Sequence, residues 1–351
     1  MNSVRSKLEN KGFDELYRKN QVKSIVFLAV LTVILLGTIL LSLCSGSYET
    51  PIAELVKGIF GMASDRRINL VVQNIRLPRI LTAILAGAGL GLAGCVLQAV
   101  LRNPLASAST LGVSQGATFG AAFAIVVLGM GATEGFGIPL CAFIGSIAVA
   151  LVILGLSKFR QVSPEGIVLA GVAISSMFTG ATTLLQYFAN EVQLNTLVFW
   201  TFGDLGNTGW DDLGGMGVIV AVLCLYCIMH RWDYNALLSG EETAISLGIN
   251  VRRLTLVNMI LCCLCSSVIV SQVGLISFIG LVAPHIVRMV VGNNHIYLIP
   301  GSILGGATLL LLGDLFARTI ISPVILPIGA ITSFLGGPLF LYLLFKGGKK
   351  Q

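Results

Sequence analysis

Charged residues are scarce in this sequence. Of its 351 residues, 11% are Asp, Glu, Lys or Arg, whereas 55% are hydrophobic. Soluble domains carry about a quarter charged residues, so this composition excludes an ordinary soluble protein and indicates one that resides in a lipid bilayer. The basic residues are scattered between apolar runs and form no continuous patch, which argues against a nucleic-acid partner.

The sequence also lacks the groups that drive transport or catalysis. It has no Walker-A segment to bind ATP and no pair of acidic residues within an apolar run to relay protons. Its three histidines stand singly near the ends of apolar runs, and nearly all of its eight cysteines lie within such runs, where thiols pack as small hydrophobic groups. We therefore expect no catalytic residue, no metal site and no bound cofactor; any ATP is used by a partner subunit.

Two short motifs match enzyme signatures but stand in the wrong context. Residues 89–94 (GLGLAG) match the dinucleotide fingerprint, which requires a strand-to-helix turn, yet they lie in the middle of an apolar run. Residues 112–116 (GVSQG) match the nucleophile elbow, which needs a preceding strand, a histidine and an acid. We interpret Ser114 and Gln115 as candidate residues of a transport pathway; an intramembrane hydrolase built on Ser114 is a less favoured alternative.

Long uncharged runs are abundant. Because a helix needs about 20 apolar residues to cross a bilayer, each run is a candidate span, and the run 254–287 is long enough for two if the chain turns at Gly274. The runs are 24–48, 80–101, 103–133, 135–157, 166–190, 213–230, 254–287, 289–313 and 319–345. We predict an all-α polytopic membrane protein with about ten transmembrane helices within residues 24–346, preceded by a basic tail (1–23) and followed by a short tail (347–351).

The basic residues orient this arrangement. We expect the protein to lie in the cell membrane. An even number of spans places both termini on one side, and the positive-inside rule places these basic termini in the cytoplasm. Sixteen of the 22 Lys and Arg residues then lie on the cytoplasmic side. The six on the outer side are Lys57, Arg66, Arg67, Arg76, Arg79 and Arg318.

Small residues predict how the spans pack. The sequence has 41 glycines, and membrane helices use small residues to bring their backbones close together. Ala83, Gly87 and Gly91 recur at a spacing of four, so they share one face of a helix. This pattern predicts a tightly packed bundle.

The segment 231–253 is the longest cytoplasmic segment after the N-terminal tail. Ser239 followed three residues later by Glu242 has the pattern of a capping box, which predicts a short helix with Ser239 as its N-cap. That helix should stop at Gly248, and Asn250 should cap the next span. An ordered helix on the cytoplasmic face is suited to docking a partner.

Five segments resemble motifs of the iron-siderophore and cobalamin ABC importer permeases, and the resemblance extends over about residues 24–346. These segments are 75–80 (IRLPRI), 102–106 (RNPLA), 111–117 (LGVSQGA), 274–288 (GLISFIGLVAPHIVR) and 326–329 (LPIG). The sequence departs from the family pattern at Leu275, where a proline is common, and at Asp204, where many members have serine.

The resemblance implies a ten-span permease that pairs with an identical copy or a paralogue around a central pathway. It further implies two cytoplasmic ATP-binding subunits and an extracytoplasmic binding protein that delivers an iron chelate (siderophore or haem) or cobalamin. The residues implied for docking the binding protein are Arg76, Arg79 and Arg318. The residues implied for coupling to the ATPase are Ser239, Glu241, Glu242, Ala244, Leu247 and Gly248.

One turn of helix separates Asp314 from Arg318, so we also expect this carboxylate to orient the arginine. The main alternative function is a secondary transporter of a metal complex, which needs an ion-coupling site at the bilayer midplane.

Overall fold

Helices account for all the regular secondary structure in the part of the chain that the computed structural model describes, which is residues 2–46, 50–131, 136–159 and 163–347. The all-α prediction is confirmed over these residues. The predicted C-terminal tail lies, from residue 348 on, outside the described residues. The predicted N-terminal tail is helical and continues without a break into the first apolar segment.

The helices differ widely in length. The long ones are α1 (Asn2–Cys44), α4 (Leu77–Val100), α6 (Gly137–Phe159), α7 (Pro164–Phe188), α9 (Trp210–Met229), α12 (Val251–Val273), α14 (His295–Thr319) and α15 (Ile328–Gly347). The short ones are α2 (Ile52–Ile59), α3 (Arg66–Val71), α5 (Val113–Ala122), α8 (Glu191–Phe202), α10 (Arg231–Leu238), α11 (Glu241–Ser246) and α13 (Ile279–Val291). Single π-turns extend α4 at its start and α5 at its end.

Apolar helices dominate the described residues. Seven are long and apolar enough to cross a membrane, and three more are apolar but shorter, namely 113–127, 279–291 and 328–342. The sequence and the structure therefore agree on a polytopic membrane protein. Each of these apolar helices overlaps a segment predicted to be a span, although several extend beyond the predicted ends.

The predicted break at Gly274 is confirmed. Helix α12 ends at Val273, Gly274 adopts a φ of +73°, and α13 begins at Ile279. A positive φ is favourable only for glycine, which has no Cβ to clash with the backbone. The uncharged run 254–287 thus folds as two helices.

One predicted boundary was wrong, and one helix was not predicted. The run 103–133 is helical only from Val113, because Pro104 cannot continue a helix and the side chain of Asn103 accepts a hydrogen bond from the Leu105 amide to form a turn. Helix α8 was not predicted at all. Its signal was present in the sequence, since Asn190 and Gln193 form a reciprocal capping box at its start.

Helix α4 lies at the centre of the bundle and packs against α9, α12, α13 and α14. The contacts are very close: a Cβ atom added to Gly91 would lie 2.5 Å from the Ser302 carbonyl oxygen of α14. Gly94 makes an even closer approach to the Gly280 carbonyl of α13. The predicted small-residue face of α4 is therefore confirmed as a packing surface, and the GLGLAG segment lies within this helix.

Helix α14 connects the two ends of the bundle. It has 25 residues and so spans about 37 Å. Its first residue, His295, contacts α10 through Asn235, whereas Arg318 near its end contacts the end of α1. The segment α10–α11 and Arg318 therefore lie at opposite ends of the bundle.

We expect Gly94→Ala to destabilise the protein, because the new methyl group would collide with the α13 backbone, which cannot move aside as a flexible side chain can. Overpacking of this kind costs about 1–3 kcal/mol. Thermal unfolding in detergent measures the effect. Gly155→Ala in α6 is the matched control, since its added Cβ would meet no neighbour within 4 Å among the described residues beyond its own stretch of helix, and equal unfolding temperatures for the two variants would contradict the prediction.

Candidate functional site

A buried carboxylate organises the end of the bundle where α14 ends. Asp314 is fully buried and is held between two arginines. The Nε atom of Arg79 donates to Oδ1 of Asp314 at 2.9 Å, and the Nε atom of Arg318 donates to Oδ2 at 2.9 Å. A buried charge is tolerated only when it is paired and hydrogen-bonded, and Asp314 satisfies both conditions. The predicted Asp314–Arg318 pair is confirmed.

Arginines at this end also complete the C-terminus of α1. Nη1 of Arg76 donates to the Leu43 carbonyl at 2.6 Å, and Nη1 of Arg318 donates to the Ser45 carbonyl at 3.1 Å. Nη2 of Arg318 bonds the hydroxyl of Ser42. The last carbonyls of a helix lack partners within the helix and carry partial negative charge, so cations are favourable there. We call Arg76, Arg79, Arg318 and Asp314 the rim cluster.

The rim cluster brings together the three arginines predicted to dock a binding protein. Only 5% of Arg76 and 8% of Arg79 is exposed, and the Arg318 side chain is 10% exposed. Their guanidinium groups are engaged with partners in this chain. The docking role stays a prediction, and a partner's carboxylate would have to compete with Asp314 and with the end of α1.

The opposite end of the bundle presents α10 and α11, which are fixed to the long helices by buried polar contacts. The Tyr234 hydroxyl, on α10, donates to Oδ1 of Asn258 on α12 at 2.7 Å. Burial raises the pKa of Tyr234, so its hydroxyl stays protonated and available to donate. Asn235 accepts from the His295 backbone amide at 2.8 Å, which attaches α10 to the start of α14.

The end of α11 is formed as predicted. Gly248 has a φ of +85°, its amide bonds the Ile245 carbonyl, and the Ile249 amide bonds the Ala244 carbonyl. These two bonds define a Schellman motif, the usual helix stop at glycine. The Asn250 side chain then accepts from the Arg253 amide and caps α12.

The predicted start of α11 was wrong. Ser239 is not its N-cap: Gly240 occupies that position with a φ of +107°, and no side chain caps the helix. Ser239 instead ends α10, with its amide bonded to the Ala236 carbonyl. As the C-cap of α10, Ser239 has a φ of −83° and a ψ of 1°, so it does not adopt the extended conformation that an N-cap requires.

The predicted coupling residues divide by exposure. Ala244 is buried, whereas Ser239, Glu241, Glu242, Leu247 and Gly248 are exposed, Leu247 at 67%. Two further residues were missed: Ile245 is 57% exposed, and Arg102 pairs with Glu241 at 2.8 Å. Helical spacing could have indicated Ile245, because one residue turns the helix by about 100° and so points Ile245 away from the buried side that holds Ala244. A groove of about 570 Å³ is bordered by Arg102, Ser239, Glu241, Glu242 and Ile245.

Ser114 and Gln115 lie at the start of α5, and Gly112 with a φ of +88° precedes them. Ser114 is buried, and the side-chain oxygen of Gln115 is buried without a hydrogen-bond partner among the described residues. Residues 103–112 fold as turns, so the strand that a nucleophile elbow needs does not precede Ser114. The pathway role of this pair stays a prediction.

Apolar helices that satisfy their own backbone bonds, with their polar groups gathered at two ends, define a polytopic integral membrane protein. Comparison with known families refines this class. Residues 33–346 match the model of the FecCD transport family, and the chain belongs to that family. The family resemblance stated from the sequence motifs is thereby confirmed.

Relatives support the same assignment. An ABC transporter permease protein of Methanocaldococcus jannaschii is 48% identical over 95% of this chain and 98% of that protein. The vitamin B12 import system permease of Escherichia coli is 37% identical over 95% and 99%, and the hemin transport system permease of Yersinia pestis is 35% identical over 91% and 94%. A solved structure, described as an inward-facing metal-chelate type ABC transporter, matches with a TM-score of 0.79 and 31% identity over 91% of this chain and 98% of that chain.

We expect Asp314→Asn to lower the free energy of unfolding by about 3 kcal/mol, because it removes the buried counter-charge of Arg318 and leaves Arg79 only the exposed Asp204. Thermal or denaturant unfolding in detergent measures this. Asp211→Asn is the control, since Asp211 is an exposed residue in the first turn of α9. If both variants unfold like the wild type, the rim cluster does not stabilise the bundle.

Proposed function

We propose that this chain is the membrane-spanning permease of an ATP-driven importer for an iron chelate (siderophore or haem) or cobalamin. Membership of the FecCD transport family and the named relatives support this class of cargo. The observation that carries the mechanism is the separation along α14: the exposed segment α10–α11 lies at one end of the bundle and the rim cluster at the other. A subunit that couples an ATPase on one side of the membrane to a binding protein on the other requires such an arrangement.

The proposed topology has ten spans with both termini in the cytoplasm. The seven long and three shorter apolar helices supply ten candidates. The bias of basic residues supports the orientation, because most of them then face the cytoplasm. In this topology α10–α11 lies in the cytoplasm and the rim cluster faces outward.

On the cytoplasmic side, α11 seats in an ATPase subunit. Exposed Ile245 and Leu247 supply apolar contacts, and Glu241 and Glu242 supply charge beside the groove. Short helices that lay apolar side chains into a partner's groove are a common recognition mode. Because hydrogen bonds fix α10 to α12 and α14, a displacement of α11 is transmitted through α10 to these two long helices.

On the outer side, the rim cluster receives the binding protein. Three arginines stand against two carboxylates, buried Asp314 and exposed Asp204, so a net positive charge remains that attracts acidic side chains. A second copy of this chain or a paralogue completes the pathway within the bilayer.

The proposed docking has its own measurement. The Asp314→Asn variant should alter the affinity for the binding protein and its dependence on salt, because the released arginines change the charge presented at the rim. Affinity and salt dependence equal to those of the wild type would count against docking at this cluster.

Orientation is tested by epitope tags in two exposed loops, one after Gly240 and one after Ile321. We expect antibody to reach the first only from the cytoplasmic side and the second only from outside, because α14 separates these loops by the full thickness of the bundle. A tag within the N-terminal tail is the control for the cytoplasmic side. Tags that report one compartment for both loops would overturn the proposed mechanism.

Coupling is tested by Leu247→Glu in the complete transporter. We expect the variant to fold normally, since Leu247 is exposed, but to bind the ATPase subunit about tenfold or more weakly because a charge replaces an apolar contact. Co-purification of the ATPase and ATP-dependent uptake into proteoliposomes are the readouts. Leu247→Met is the control and should retain both, and wild-type coupling by Leu247→Glu would place the ATPase contact elsewhere.

A further inference from the structure

A cavity of about 790 Å³ opens beside α8, at the same end of the bundle as Arg79. Its walls come from α8, the end of α12 and the loop that joins α14 to α15. Cavities of about 300–1,000 Å³ hold drug-sized ligands. We call it the α8 cavity, and no role described above accounts for its lining.

One face of α8 forms a wall of this cavity. The residues on that face recur at helical spacing and include both apolar and polar side chains: they are Val192, Asn195, Thr196, Phe199 and Phe202. The opposite face fixes the helix, because Leu197 is fully buried and Gln193 donates to the Ile125 carbonyl at 3.1 Å. The wall is therefore held in place while Phe199 remains 70% exposed.

Three of the polar side chains in the lining are amides. The side chains of Asn195, Asn207 and Gln272 make no hydrogen bond with any residue that the structure describes, although all three line the cavity. An amide offers both a donor and an acceptor. These side chains are therefore free to bond amide, hydroxamate or hydroxyl groups of a ligand, while the aromatic rings cover its apolar surface.

Charge in the described part of the lining is balanced. Among the residues that the structure describes, the charged ones that line the cavity are Arg79 and Asp204, and their nearest charged atoms lie 3.7 Å apart. Arg79 also pairs with Asp314 behind the wall, so no surplus positive charge faces the cavity. Asp204 is a position at which this sequence departs from the family pattern. A ligand with several negative charges would meet a carboxylate there without a free cation to offset it.

We propose that the α8 cavity binds the cargo directly and selects a compact metal chelate that carries little net charge and displays amide or hydroxamate groups beside apolar surface. This inference rests on the proposed function and deepens it, because it gives the membrane subunit a part in choosing the cargo. The open amides provide hydrogen bonds, the face of α8 provides apolar contact, and the Arg79–Asp204 pair disfavours anionic chelates.

Trp200 lines the cavity and reports binding there. The full chain, reconstituted in nanodiscs with Trp210→Phe and Trp232→Phe, has Trp200 as its single tryptophan. Its fluorescence is titrated with ferrichrome, a neutral ferric trihydroxamate, and with ferric enterobactin, a trianionic triscatecholate. We expect saturable quenching by ferrichrome and about tenfold weaker binding of ferric enterobactin.

Two variants test the site. Phe199→Ala should weaken ferrichrome binding about tenfold, because it removes an exposed aromatic surface. Asp204→Asn keeps the acceptor for the Gly206 amide and removes only the charge, so it should leave ferrichrome affinity nearly unchanged and strengthen ferric enterobactin about fivefold. Asp211→Asn, an exposed carboxylate outside the cavity, is the control and should change neither affinity.

Three outcomes would overturn the proposal: no saturable quenching by ferrichrome, equal affinity for the two chelates, or an Asp204→Asn variant that behaves like Asp211→Asn. ATP-dependent uptake by the complete transporter distinguishes this failure from failure of the proposed function. Uptake without binding in the α8 cavity overturns the cavity proposal alone, whereas a complex that shows no ATP-dependent uptake of any chelate or of cobalamin overturns both.

Discussion

The backbone of α4 lies in direct contact with the backbones of α13 and α14, and the rest of the structure depends on this approach. Lipid tails are as apolar as the side chains that face them, so membrane helices gain little from hydrophobic burial against one another and associate through close packing. Gly91 and Gly94 allow that packing where any Cβ atom would prevent it. The contact fixes how far α4 and α14 are displaced along each other, and thus which polar residues meet at their ends.

The rim cluster follows from that fixed register. Arg79 belongs to the first turn of α4 and Asp314 to the last turns of α14, so their pairing reports how the two helices are aligned. Exchanging such a buried ion pair for apolar residues is often neutral for stability, while removing one partner is costly. The pair instead positions neighbouring elements, because Asp314 holds Arg318 and Arg318 in turn bonds the end of α1.

Local features of the fold could be predicted from the sequence, and non-local ones could not. The break at Gly274, the stop at Gly248 and the Asp314–Arg318 pair each depend on residues within one or two turns of each other. The pairing of Arg79 with Asp314 joins residues 235 positions apart, which no spacing rule reveals. The failure at Ser239 has a different origin: its capping pattern was correct in isolation, but the end of the preceding helix α10 already determines its conformation.

The candidate site was predicted in part for the same reason. Exposure of Leu247 and Glu241 could be expected because both belong to the polar segment 231–253. Burial of Ala244, in contrast, depends on how α11 folds back onto its neighbours. The α8 cavity was not predicted, because its lining is assembled from α8, the end of α12 and the loop before α15. Asp204 stood out in the sequence only as a departure from a motif, and the structure gives it a neighbour, Arg79.

A single helix, α14, carries His295 at one end and Arg318 at the other, about 37 Å apart. A rod of that length that rocks by about 10° about its middle displaces each of its ends by about 3 Å, as much as the length of the hydrogen bonds that hold those ends. Such a rocking motion of α14 would therefore loosen its contacts with the end of α1 and with α10 at the same time.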